Sequence, residues 1–425
     1  MNYNLQRWIT LVACILASMC AGLAYSWSVF LNPLIDMYNW SAADTSITFT
    51  LLMSTAGVTA IFAGKAQDYM QPRMVMLLGG MLFGLGLAGI GFIQNLFQLY
   101  LCVILAGIGL GSVYPGATVS NTIRFFPDKQ GLTSGLIAAG YGIGPVIWAP
   151  LSVKLLAQFG IITTMKILGL SFFLLIGLLS FLVKTAPVNY LPSGWIPPEN
   201  PNQTAPVDKD WKQMLRDPLF FFLAVTFTLG LITGMMIIGH ASPIAQDILM
   251  MTPAAAAAIV SILAIAITTG KVGWGVVSDR IGRYPVIFLL LILGGLAMAG
   301  LTLIKGYLLF TALIVVVGLC YGGFLAIMAP LTADLFGPKN LPVNYGLMFL
   351  TVAIAAYVGP YLAAVIKEVQ NGAYTQAFII AALLNLAGIV VFSVFMYLRK
   401  KKLSSPELNS KLKEKTTFIR EKTIL

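Results

Sequence analysis

The chain has 425 residues, of which 58% are hydrophobic and only 10% charged, with a formal net charge of +11. Soluble domains carry roughly 25% charged residues, so the composition excludes a soluble globular protein and points to a polytopic membrane protein. The basic residues are dispersed over loops, which argues against a nucleic-acid partner, and the single histidine excludes most catalytic triads, so no enzyme is expected.

In chain order, twelve apolar runs reach the roughly 20 residues that a membrane-spanning helix needs. Numbered as spans 1 to 12, they are 8–31, 44–64, 73–93, 97–121, 131–155, 161–183, 218–240, 253–277, 285–304, 307–330, 343–366 and 374–398. Backbone polar groups in hydrocarbon must be satisfied within the segment, so each run is predicted to be a helix and the fold class to be all-α. Span 1 is far longer than a signal-peptide core of about 7–15 residues and reads as a retained span. Cys14, Cys20, Cys102 and Cys320 lie in apolar runs at no motif spacing; they read as small core residues, with no disulfide framework, metal site or cofactor implied.

Charge predicts the orientation. With the N-terminus in the cytoplasm, the inner loops hold Arg7, Lys65, Arg73, Arg124, Lys129, Lys184, Lys209, Lys212, Arg216, Arg280, Arg283, Lys339 and the tail from Arg399. The outer side then holds only Lys154, Lys166, Lys305 and Lys367. Both termini are therefore expected inside, with the basic loops against anionic lipid. The segment 185–216 contains Pro187, Pro192, Pro197, Pro198, Pro201 and Pro206 and reads as a semi-extended linker. It divides an N-terminal six-helix bundle, 1–184, from a C-terminal one, 217–398, which is followed by a cytoplasmic tail, 399–425.

The two bundles repeat one another. Gly64-Lys65-Ala66-Gln67-Asp68, with Arg73 following, returns as Gly275-Val276-Val277-Ser278-Asp279-Arg280-Ile281-Gly282-Arg283. Pro115 recurs as Pro330, and Gly144-Pro145 as Gly359-Pro360. In such a loop the glycine (Gly64, Gly275) lets two helices approach. The aspartate (Asp68, Asp279) can cap a neighbouring helix N-terminus. The arginines (Arg73, Arg280, Arg283) can pair with that carboxylate or with lipid phosphate. The motif is expected to act as a cytoplasmic gate.

Twelve spans in two parallel repeats with these loops resemble the major facilitator superfamily, whose members bind substrate near the midplane and rock between two open states. Gly22-Leu23-Ala24-Tyr25-Ser26-Trp27-Ser28-Val29-Phe30 resembles the opening of its oxalate/formate antiporter family. Arg124-Phe125-Phe126-Pro127-Asp128-Lys129-Gln130-Gly131-Leu132-Thr133-Ser134-Gly135 is similar to a loop shared by that family and the monocarboxylate porters. Gly131, Gly140 and Gly144-Pro145 are also similar to the span-5 motif of drug/proton antiporters, but Trp148-Ala149 then stands in place of glycine.

Lys271 is the one charge in the run from about Pro253 to Val277. A charge inside a span costs several kcal/mol (about 3 on insertion scales) and generally marks function. Helical side chains lean toward the helix N-terminus, so in span 8 Lys271 leans toward the bilayer centre. The resemblance implies that a cation at this place binds a substrate carboxylate; the family usually has arginine there. The relatives' span-11 cation and span-8 aspartate are both missing here, the latter replaced by Ile267, so the site reads as a single-charge site for a monoanion. Coupling then runs through a protonated substrate, Lys271 or His240, or through exchange of anions. His240, at the predicted outer end of span 7, reads as a pH-sensitive gate or as an interfacial residue bonded to backbone. Tyr25, Trp27, Tyr114, Tyr141, Tyr321 and Tyr357 are aromatic candidates for the pocket wall, and Trp274, one turn from Lys271, for its cover.

The expected protein is a functional monomer in a prokaryotic plasma membrane. It would carry small monocarboxylates such as formate, acetate, lactate or pyruvate, by antiport or proton-coupled symport. The alternatives are a drug or metabolite/proton antiporter and a non-transporting membrane sensor.

Overall fold

A computed structural model describes residues 3–403 apart from 68, 127, 129, 188–190, 193–207, 304–305, 338–339 and 371. Its helices are α1 (Tyr3–Ala21), α2 (Ser28–Tyr38), α3 (Ala42–Ala66), α4 (Pro72–Gly89), α5 (Leu96–Gly111), α6 (Thr118–Phe125) and α7 (Gln130–Leu182) in the first half. The linker contributes α8 (Trp211–Leu215). The second half has α9 (Pro218–Leu249), α10 (Pro253–Ile281), α11 (Arg283–Leu301), α12 (Tyr307–Phe336), α13 (Leu341–Val369) and α14 (Thr375–Leu403). Eleven stretches are long and apolar enough to cross a membrane, and one of them, Thr133–Leu182, is two spans. Gly160 folds it back at φ +69°, ψ 175°, a conformation open essentially to glycine. The fold is thus all-helical, with twelve spans.

Two spans are broken where the chemistry of the site lies. Span 1 passes from α1 to α2 through a 3-10 turn, Gly22–Ser26. Span 4 passes from α5 to α6 through a π-type turn, Ser112–Ala117, in which Tyr114 is extended (φ −126°, ψ 126°). Pro115 accounts for the second break, because its ring and missing N–H do not fit a regular helix interior. Several spans start on the same device: Ser41, Asn95, Asp217 and Thr252 each accept a first-turn backbone N–H.

The helices outrun the apolar runs. Span 7 continues to Leu249, span 10 to Phe336 and span 12 to Leu403, because polar residues such as Gln246 and Asp334 continue a helix as it leaves hydrocarbon. The end of the linker is likewise folded rather than extended. A capping box of Asp210 and Gln213 starts α8. Lys209 donates its N–H to Phe336 O (2.8 Å), accepts Asn344 Nδ2 (3.0 Å) on its carbonyl and pairs with Asp217. The 193–207 stretch and the tail after 403 lie outside the described residues.

The repeat is visible in the packing. A Cβ added to Gly111 would stand 2.1 Å from Ala56 O, and one on Gly322, 211 residues later, 2.2 Å from Ile267 O. Span 4 therefore crosses span 2 as span 10 crosses span 8. Gly144 seats against Met19 O (2.6 Å from an added Cβ) and Gly359 against Ile232 O (2.7 Å), so span 5 meets span 1 as span 11 meets span 7. The halves meet along two further seams, α3 on α13 and α7 on α10.

Gly270 and Gly273 of α10 separate packing from propensity. A Cβ on Gly270 would lie 2.4 Å from Leu319 O, whereas one on Gly273 meets nothing within 4 Å. Gly270→Ala is expected to lose about 1–3 kcal/mol by overpacking. Gly273→Ala should be neutral or gain up to about 1 kcal/mol of helix propensity. Thermal unfolding of the purified protein in detergent checks the difference.

Candidate functional site

Alternation of the spans puts Arg7, Lys65, Arg73, Arg124, Lys184, Lys209, Arg216, Arg280, Arg283 and Arg399 at one end of the bundle. Lys154, Lys166 and Lys367 lie at the far end. The halves are fastened to each other toward that far end. Glu368 Oε1 accepts the N–H of Ala43 in the first turn of α3 (3.0 Å). Thr50 Oγ1 donates to Ala356 O (2.8 Å), the carbonyl that Pro360 leaves without its helical partner. Ser261 Oγ lies 3.3 Å from Pro145 O across the other seam, its one proton shared with Ala257 O of its own helix (3.2 Å).

His240 belongs to the same fastening. It is buried within α9, three residues before Pro243, and Nε2 lies 3.0 Å from Ser46 Oγ of α3. The single hydroxyl proton of Ser46 goes to Ala42 O (2.7 Å), so Nε2–H is the donor and Nδ1 is left without a partner. The expectation of an interfacial histidine at the end of its span, bonded to backbone, is corrected: the helix runs nine residues further and the partner is a side chain of the other half. Nearby, Lys367 pairs with Asp247 (2.6 Å), which also accepts Tyr374 Oη (3.3 Å).

At the basic end the described ion pairs stay within one half: Arg7–Asp128 (3.2 Å), Arg283–Asp279 (3.3 Å), Arg283–Asp334 (2.7 Å) and Lys209–Asp217. A Cβ on Gly275 or Gly135 would meet nothing within 4 Å, so the inner parts of spans 8 and 5 are apart. The halves are therefore fastened by hydrogen bonds toward the far end of the crevice between them; at the basic end Gly346 of α13 still meets Ile61 of α3 (3.5 Å from an added Cβ), and the looser side is that of α7 and α10. In this state the expected gate does not bridge the halves. Gly275 makes no close helix contact, Arg73 and Arg280 are exposed, and Asp279 is held by Arg283 of its own motif. Asp68 lies outside the described residues, and Gly64 is half-buried at the end of α3. Asp334, which accepts Arg283 Nε, was not anticipated, because this pair is made through space from span 10.

Lys271 faces this crevice. On α10, Thr268 meets Gly142 of α7, while Gly270 and Ile267 meet α12. At about 100° per residue Lys271 falls between those two contacts. Ile265, Val272 and Val276, on the opposite side, are at least half exposed as lipid-facing residues would be. Among the described residues Lys271 has no ion pair, hydrogen bond or ring contact.

Four of the aromatic candidates come together. Tyr114 stacks on Tyr141 (4.2 Å, 12°), Tyr141 meets Tyr25 edge-on (4.9 Å), and Tyr25 Oη lies 3.4 Å from Tyr321 Oη across the two halves. Tyr345 of α13, packed beside Phe349 (5.8 Å), lies within electrostatic range of Tyr25 and Tyr114 and was missed in the sequence. Three candidates are corrected. Tyr357 is 50% exposed on the outer face of α13, stacked on Tyr361. Trp27 is buried, donating Nε1–H to Thr48 Oγ1 (2.8 Å), and serves packing between spans 1 and 2. Trp274 lies against Gly323 of α12 and does not cover Lys271. Trp148 donates to Met19 O (2.7 Å), beside the break in span 1, so at this position the chain builds a specific indole contact instead of the glycine of the drug-antiporter motif.

The family model of the Major Facilitator Superfamily matches residues 14–244 and 227–424. The chain belongs to the major facilitator superfamily. This facilitator is 30% identical over 390 residues to the oxalate:formate antiporter of Oxalobacter formigenes, covering 89% of the chain and 88% of that protein. It is 30% identical over 359 residues to the uncharacterized MFS-type transporter YhjX of Escherichia coli (84% and 87% covered). Identity to monocarboxylate transporter 12 of Xenopus laevis is 24% over 401 residues (88% and 85% covered). A solved bacterial homologue of the human lysosomal transporter Spinster, inward-facing and occupied, has the same fold. Its TM-score is 0.75 at 14% identity, with 93% of this chain and 98% of that one covered. The facilitator is thus a multi-pass membrane transporter, and the resemblance read from its motifs holds.

Ser46→Ala removes the acceptor of His240 and leaves both ring nitrogens buried without partners, which is expected to destabilise the closed far end by about 1–3 kcal/mol. The check is labelling of an Ala43→Cys reporter by a membrane-impermeant thiol reagent, which should rise in the Ser46→Ala background. Cys14, Cys20 and Cys320 are buried and give little background.

Proposed function

We propose that this facilitator carries small organic anions bearing one carboxylate, of the formate, acetate, lactate or pyruvate type, across a prokaryotic plasma membrane. The observation that supports this most is Lys271: a cation in the crevice, turned from lipid, with no carboxylate paired to it among the described residues. Bringing an ion out of water costs several kcal/mol unless an opposite charge comes with it. A single carboxylate on Lys271 makes the loaded site neutral, whereas a dianion leaves a net charge to be enclosed. Tyr25, Tyr114, Tyr141 and Tyr321 add hydroxyl donors and apolar ring faces at the same level, a combination suited to a small organic acid.

The same bare cation favours exchange over one-way movement. A carrier that returns empty must enclose Lys271 without a counter-charge, while one that returns loaded does not. Antiport of one monocarboxylate for another is therefore the reading we adopt, in a functional monomer. The basic end faces the cytoplasm and anionic lipid, and the loops around Asp68 and Asp279 form the gate there.

Proteoliposomes preloaded with one radiolabelled carboxylate and challenged with a panel outside test this. Counterflow with monocarboxylates is expected, with oxalate weaker. Binding without counterflow would mark a sensor, and export of hydrophobic cations down a proton gradient would mark a drug antiporter. Lys271→Gln should lower anion affinity at least about tenfold, the loss of one charge-assisted contact of about 1.5–3 kcal/mol. Lys271→Arg should keep most of it. Unchanged affinity in Lys271→Gln removes the role assigned to this residue.

A further inference from the structure

The contacts between the halves include one in the middle of the crevice that joins two side chains, Tyr25 to Tyr321. Tyr25 stands on the 3-10 turn that breaks span 1, and Tyr321 on α12; both are buried. The ring of Tyr321 lies on Gly234 of α9, where an added Cβ would be 2.4 Å from Cδ2, so its position is set by packing rather than by the hydroxyl. Gly322 seats against the Ile267–Lys271 stretch of α10, so Tyr321 starts level with Lys271. Its side chain leans toward the N-terminus of α12, as that of Lys271 leans toward the N-terminus of α10, so the hydroxyl stands at about the level of the lysine head. An anion on Lys271 would therefore lie beside this pair.

The protons of the pair can be assigned. Tyr321 Oη also lies 3.7 Å from Met235 Sδ, in donor geometry. Tyr321 then gives its proton to the thioether, and Tyr25 gives its own to Tyr321 Oη. Both bonds are weak: a thioether is a poor acceptor, and 3.4 Å is well beyond the usual 2.5–3.0 Å or so of an O–H···O bond. A carboxylate is a far stronger acceptor for either proton.

We propose that the Tyr25–Tyr321 pair is a bolt released by the substrate: the two hydroxyls join the halves across the empty site and turn onto the anion bound at Lys271. The far end then opens only when the site is loaded. This inference rests on the carboxylate reading above and adds to it a device that makes opening conditional on loading. Charge alone makes the empty carrier costly to close at both ends; the bolt keeps it from opening at the far end.

The test uses the full-length protein in proteoliposomes with the Ala43→Cys reporter and sodium formate or sodium lactate as probes. In the wild-type background, labelling from the far end should be low without anion and rise with it. In Tyr25→Phe and Tyr321→Phe, labelling without anion is expected to rise between about twofold and tenfold, the range of one net hydrogen bond, and to lose its dependence on anion. Tyr357→Phe, on the lipid-facing side, should label as wild type. Should a Phe variant fail to fold, Met235→Leu reads the same device, because removing the thioether frees the Tyr321 proton and should tighten lactate binding by about twofold or more. Unchanged anion-free labelling in both Phe variants, or unchanged lactate affinity in Met235→Leu, overturns the bolt while leaving the carboxylate reading in place. If neither formate nor lactate binds the wild type, both the carboxylate reading and the release step fall.

Discussion

A positive charge in an apolar bundle, with no counter-charge among the described residues, constrains the rest of this molecule. Lys271 sits where the helices leave a crevice between α7 and α12, and its backbone is held there by two glycine crossings, Gly270 on Leu319 and Gly322 on Ile267. These crossings bring the α10 and α12 backbones close enough that their packing cannot shift without a clash. The lysine is thus mounted on rigid structure while its head has no ion pair or hydrogen bond among the described residues. A charge so placed is expensive in any state that excludes water and supplies no partner. On the proposed function, the bound anion is therefore part of the electrostatic balance of the fold.

The internal repeat makes this departure measurable. Gly107 and Gly111 in span 4 correspond to Gly318 and Gly322 in span 10, and they make the same close contacts with spans 2 and 8. At the same offset of 211 residues, the counterpart of Lys271 is Ala60, and the counterpart of Tyr321 is Leu110. The scaffold residues have kept the symmetry, and the residues of the site have lost it. The second half supplies the charge, while the first supplies Tyr25, Tyr114 and Tyr141 from two broken spans and the start of span 5. The breaks matter because an unbroken helix would return these side chains to the regular 3.6-residue spacing, whereas the turns at Gly22–Ser26 and Ser112–Ala117 re-aim them into the crevice.

Much of this was legible in the sequence, and what was not has identifiable causes. The spans, the repeat and Lys271 are readable because charge and glycine are rare, costly choices in hydrocarbon. The faces of the helices are harder to read. A membrane helix is apolar toward lipid and toward its neighbours alike, so the periodicity that marks a buried face in a soluble protein is lost. Tyr357 therefore reads as pocket lining in the sequence although it faces outward, and Tyr345, twelve residues earlier on the same helix, does not stand out. Ser46, Thr50 and Ser54 recur at spacings of four residues in span 2 and form a polar seam, but the stripe alone does not say what it meets. Its partners, His240 and the carbonyls freed or exposed near Pro360, become identifiable only once span 11 is placed beside it. Asp334 is hidden for the same reason, since its pair with Arg283 joins the start of α11 to the end of α12, 51 residues later.

The kinds of contact used at each level follow from what a carrier must do. Its alternative states have to lie within a few kcal/mol of each other to interconvert and to be shifted by a ligand. Strong pairs across the moving interface would fix one state. The four charged pairs described at the basic end, Arg7–Asp128, Arg283–Asp279, Arg283–Asp334 and Lys209–Asp217, each stay within a half, so they can persist in both states. Across the halves, hydroxyls and an imidazole meet carbonyls and hydroxyls, at Thr50–Ala356, Ser261–Pro145, Ser46–His240 and Tyr25–Tyr321. Each such bond contributes about 1 kcal/mol net, so several together hold the far end shut while any one can be exchanged at little cost. The exception is Glu368, whose carboxylate meets the first turn of α3; it is exposed at the rim, where water can replace that N–H as the halves part. The interface that has to open is therefore built from bonds of the strength that one bound ligand can outweigh, which is what the proposed carboxylate would have to supply.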